Sequence, residues 1–133
     1  MSITATTFID LQDAFAEIRA GRFNNSVIEI PAGTVIDCPV ALTLAHNQCG
    51  TGWSIRKTGV GPDPVLRAVN RTSSTDAIIN PNGVGFNNVG FEGIEFRGGT
   101  GFFCSAGAQS VTFRGCTFRD MKQGITLSGT AND

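Results

Sequence analysis

The stretch SVTFRGCTFRD, Ser110 to Asp120, decides the fold. Val111 and Phe113 are apolar with Thr112 between them, and Cys116 and Phe118 repeat the alternation with Thr117 between them. Side chains alternate across a strand with a period of two, so each half reads as a very short strand. Gly115 breaks the phase between the halves, as a corner would, because glycine takes the positive φ that a side chain resists.

Sliding the sequence by 22 residues lays QSVTFRGCTFRDMKQGITLSG (109–129) over NNVGFEGIEFRGGTGFFCSAG (87–107). Val111 meets Val89, Phe113 meets Phe91, Gly115 meets Gly93, Phe118 meets Phe96, Arg119 meets Arg97 and Gly129 meets Gly107. Cys116 over Ile94 and Ile125 over Phe103 exchange apolar for apolar. Coincidences at inward and corner positions mark an internal repeat. A period this short, holding several tiny strands, predicts a coil whose strands pair with those of the coils above and below, about 4.8 Å away. Glu92 then falls over Arg114, where a cross-coil ion pair would contribute only about 0–1 kcal/mol.

The rest of the chain agrees. In TTFIDLQDAFAEIRAG, Phe8, Leu11, Phe15 and Ile18 recur at helical spacing with Ala14 beside them. Thr7 can cap this helix, Asp10 stands at the capping-box position and Gly21 can end it. Beyond it the period switches to short runs bounded by Gly, Pro, Asn or Asp: 27–30, 34–36, 41–44, 53–56, 65–69 and 77–79.

The reading is therefore a single all-β domain over 1–133, with a capping α-helix at 7–20 and coils from 26 onward. The order of amphipathic helix, VIEIPAGTV, GTGWSIRKTGVGPDPVLRA and VTFRGCTFRDMKQGI resembles right-handed parallel β-helix proteins of the pectate-lyase-like superfamily. That resemblance implies a short single-stranded right-handed parallel β-helix, here of about four to five coils of ~22 residues. It also implies a choice of function, since the superfamily holds polysaccharide lyases, hydrolases and epimerases as well as phage tailspikes and other virion parts.

Composition narrows the choice. The chain has 133 residues, a net charge of −1, 17 glycines and 10 phenylalanines, and no Lys/Arg cluster to attract phosphate backbones or anionic lipid. Neither nucleic acid nor a membrane surface is an expected partner. The N-terminus lacks the basic and apolar regions of a secretory signal, and no stretch is long enough for a membrane helix. Synthesis in a cytoplasm follows, with a virion as destination, or an extracellular one if an export signal has been removed. Asn24-Asn25-Ser26 and Asn70-Arg71-Thr72 match a glycosylation triplet that has meaning only on a secretory route.

Of the four cysteines (Cys38, Cys49, Cys104 and Cys116), none forms a C-x-x-C pair. Cys38, His46 and Cys49 offer three ligand types at a spacing that fits no zinc module, so no metal and no cofactor are expected, and the thiols read as small core residues.

Catalysis on acidic sugars needs rows of acids, bases or cations on one outer sheet. Glu92 and Glu95 stack over Arg114 and Thr117, which makes no acidic row, and Asp63 and Asp76 stand in turn contexts. The best cluster is Asp120 and Lys122 beside Arg97 and Arg119, for which a solvated corner is the simpler reading. Trp53 is the candidate sugar-stacking residue, though a single Trp in a strand more often lies in a core or interface.

The sequence stops at SGTAND, directly after the second clear repeat, which would leave an open coil for another subunit, a neighbouring protein or a further segment to cover. The expectation is a non-enzymatic structural protein that assembles as a homo-oligomer, a trimer by the resemblance, or docks on capsid or tail proteins as a decoration protein or short spike. The alternatives are the N-terminal part of a polysaccharide lyase or epimerase, or a polysaccharide-binding module.

Overall fold

Helix α1 spans Phe8–Arg19 and begins as its sequence dictates. Thr7 is extended at the N-cap, its hydroxyl accepts from the Asp10 N–H at 3.2 Å, and the Asp10 carboxylate accepts from the Thr7 N–H at 3.2 Å. This capping box satisfies backbone donors that the first turn leaves without helical partners. Leu11, Ala14, Phe15 and Ile18 are fully buried, whereas Ile9 faces solvent. The last helical residue is Arg19, followed by Ala20 in right-handed conformation. The proposed stop, Gly21, lies outside the residues that this computed structural model describes: 2–20, 25–40, 42–43, 52–69, 78–80, 87–98, 102–104, 108–119, 125–127 and 131–132.

Within these residues the chain is mostly β-strand in parallel sheets, with one short helix. The strands are β1 (Ser2–Thr4), β2 (Val27–Pro31), β3 (Val35–Cys38), β4 (Leu42–Thr43), β5 (Ser54–Thr58), β6 (Val65–Ala68) and β7 (Ile79–Asn80). They continue as β8 (Asn87–Glu92), β9 (Glu95–Arg97), β10 (Phe102–Cys104), β11 (Ala108–Arg114), β12 (Thr117–Arg119), β13 (Ile125–Leu127) and β14 (Ala131–Asn132). The first sheet has the order β1-β2-β5-β8-β11-β14, the second β3-β6-β9-β12 and the third β4-β7-β10-β13. From β2 onward the chain visits first, second and third sheet in the same order, circuit after circuit.

The register between the last two circuits is the one the repeat predicts: Val89 pairs with Val111, Phe91 with Phe113, Glu92 with Arg114, Phe96 with Phe118 and Arg97 with Arg119. Two expectations are corrected. Phe102, not Phe103, pairs with Ile125, because the way to the third sheet is one residue longer than 22. The 22-residue period also fails earlier in the chain. Successive partners are 27 residues apart at Val27–Ser54, 36 at Ser54–Gly90 and 37 at Leu42–Ile79. Longer connections absorb the difference while the strands stay in register.

One core joins the sheets and the helix. Phe91 stacks on Phe113 with ring centroids 4.9 Å apart, and Phe96 stacks on Phe118 at 5.2 Å. Trp53 meets Phe91 edge-on at 6.1 Å and Phe15 of α1 at 5.8 Å, which ties the helix to the same aromatic column. Gly93 and Gly115, with φ of 68° and 62°, turn the chain from first sheet to second, as the repeat requires. β1 was not expected. It pairs in parallel with β2, placing Ser2 beside Val27, and extends the first sheet past the helix.

Candidate functional site

Arg97 and Arg119, half of the cluster singled out in the sequence, are neighbours on β9 and β12. Both reach Glu95: Arg97 Nε donates to Oε2 at 3.0 Å with its Nη2 on the same oxygen, and Arg119 Nε lies 3.4 Å from Oε1. Above them in the same column stand Arg67 and Asp37, joined by an Nε–Oδ1 bond of 2.7 Å. Two carboxylates thus hold three guanidiniums along one edge of the second sheet. Asp120 and Lys122, the other half of the cluster, lie outside the described residues, as do His46, Cys49 and Asp76.

Trp53 is fully buried, so its ring faces the core and not a sugar. Cys38 is buried with its thiol toward the Ile36 carbonyl, and burial pushes the half-buried Cys116 thiol up from its ordinary pKa. Both are free thiols in core positions. The side chain of Cys104 is not described. Among the described residues, no group of three metal-ligating side chains comes together. Asp63, read as a turn residue, accepts from Lys57 Nζ at 2.9 Å, while the same ammonium donates to the Gly61 carbonyl at 2.6 Å.

The hydrogen bond from Arg67 holds the Asp37 carboxyl below its usual range, and the Thr6 N–H does the same for Asp10. A depressed folded pKa contributes stability that is present above the unfolded value, about 3.9, and lost as pH falls through the folded one. Asp37→Asn is therefore expected to flatten the acid side of the stability curve below about pH 4 and to leave neutral stability almost unchanged. Urea midpoints across the acid range check this, and an acid slope equal to the parent's would contradict it.

The most ordered outward surface is one the sequence reading missed. On the first sheet, Glu29 of β2, Arg56 of β5, Glu92 of β8 and Arg114 of β11 are successive register partners. They form a ladder of alternating sign whose rungs are spaced at about 4.8 Å. Arg56, Glu92 and Arg114 are exposed and Glu29 is half-buried. Among the described residues no ion pair or side-chain hydrogen bond joins these four, so the pair expected between Glu92 and Arg114 has its register but not its bond.

Beside the ladder runs a column of small residues, Ser54, Gly90 and Thr112, which leaves a depression of about 230 Å³ between Gly90 and the charged side chains. Gly90 is not in a left-handed conformation, and a Cβ there would meet only Ser54 Cβ, at an ordinary 3.8 Å. Nothing in the backbone demands glycine at this position.

Comparison with protein-family models, with curated proteins and with solved structures finds no match for this chain.

Proposed function

We propose that the three sheets are the faces of a right-handed parallel β-helix of about four coils with α1 over one end, and that the protein works by assembly. Its role is that of a structural component of a multimeric particle, a decoration protein or short spike of the kind found on phage virions. Support for the fold comes from the fixed visiting order and the like-on-like columns of the last two circuits. The right hand follows from the general preference of parallel crossover connections.

The observation that carries the functional reading is the ladder Glu29–Arg56–Glu92–Arg114. Four charges are held in register on a sheet, and their own chain does not pair them. Charge arranged in this way selects and orients a partner more than it stabilises a fold. Light scattering on the purified chain is expected to show a multimer at micromolar concentration, and a stable monomer would sink the proposal.

The depression over Gly90 supports a second reading, a polysaccharide-binding module, because the Ser54 and Thr112 hydroxyls and two guanidiniums line it. Silence on a glycan array would remove it.

A further inference from the structure

The ladder is complementary to itself. Read from β2 to β11 its signs run minus, plus, minus, plus, and read backwards they run plus, minus, plus, minus. We infer that this face of the first sheet docks on the same face of a second copy of the chain, turned end for end about a twofold axis. The inference rests on the assembly reading and names its partner and geometry.

In that arrangement Glu29 faces Arg114 of the second copy, Arg56 faces Glu92, and each relation occurs twice, as an isologous contact requires. All four charges of each chain find an opposite charge. The axis passes between the levels of Arg56 and Glu92. There the Ser54–Gly90 floor is lowest in side-chain bulk, and the long arginines of the opposing copy have room to enter. The absence of any backbone demand for Gly90 fits a residue kept small for what lies above it.

Parallel association about a threefold axis fails the same test on this face. Set at equal height against the second-sheet column of a neighbour, Glu29 meets Asp37, Arg56 meets Arg67 and Arg114 meets Arg119, all like on like. Only Glu92 against Arg97 attracts. Like charges placed directly opposite destabilise such contacts.

Sedimentation equilibrium of the full chain at low ionic strength, about 0.05 M, tests the interface where screening is weakest. R56E sets a carboxylate against Glu92 of the second copy at two places per dimer, and E92R sets a guanidinium against Arg56 at two places. Each is expected to weaken dimerisation on the order of tenfold. R56E/E92R in one chain restores both contacts with their signs exchanged and is expected to return the dimer to within a few-fold of the parent.

Unchanged circular dichroism and melting temperature confirm that the exposed substitutions leave the fold alone. A parent oligomer indifferent to R56E, or a double variant as weak as the singles, overturns the twofold interface and leaves assembly standing. A parent that stays monomeric at concentrations on the order of 100 µM, where even a weak contact is populated, overturns both.

Discussion

Phe91→Ala is expected to lower the unfolding free energy by about 3–5 kcal/mol, a large part of what a domain of this size has. Phe91 is 1% exposed and sits where three contacts converge: it stacks on Phe113 at 4.9 Å and meets Trp53 and Phe96 edge-on at 6.1 Å. Removing the ring leaves a cavity bounded by three other rings, which cannot all collapse into it. It also removes aromatic pairings that add about 0.5–1.5 kcal/mol each beyond area burial. Urea denaturation measures the effect. A loss below about 0.5 kcal/mol, the range of surface substitutions, would mean that the aromatic column is not the core.

Gly93→Ala and Gly115→Ala are expected to differ, although the two glycines are repeat partners with nearly equal φ. Both place an L-residue in the left-handed region, at a cost of about 1–2 kcal/mol. At Gly115 (φ 62°) a Cβ meets nothing within 4 Å, so that cost is all. At Gly93 (φ 68°) it would lie 3.0 Å from Lys57 Cβ and 3.3 Å from Lys57 Cδ. Lys57 has little freedom to move away, because its ammonium is held by Gly61 and Asp63. Gly93→Ala should therefore destabilise clearly more than Gly115→Ala, again by urea midpoint. Equal losses would show that the lysine yields and that only the backbone matters.

What the sequence reveals and what it hides follow from where the period is kept. The helix is legible because a capping box and an apolar stripe are local signals, and Thr7, Asp10, Leu11, Phe15 and Ile18 all stand where those signals place them. The last two circuits are legible because 22 residues separate each pair from Val89–Val111 to Arg97–Arg119. The earlier circuits are not, since partners lie 27, 30, 36 or 37 residues apart and no single shift aligns them.

The charged ladder was hidden for the same reason. Glu29, Arg56, Glu92 and Arg114 follow one another at intervals of 27, 36 and 22, and only folding turns unequal spacing into an even row. β1 escaped notice because three residues are too few to show alternation. Trp53 could have been core or surface on sequence grounds, and burial against Phe15 and Phe91 places it in the core.

The unequal circuits also bear on the order in which the chain finds its shape. Closing a loop costs entropy that grows with the logarithm of its length, so a 37-residue closure is about 0.5 kcal/mol dearer than a 22-residue one. The pairing of β8 with β11 combines the short closure with the Phe91–Phe113 stack, whereas β4 with β7 closes a long loop for two short strands. Folding is thus biased to start near the C-terminal circuits and to zip toward the helix, so the N-terminal half of the chain waits longest for a partner strand.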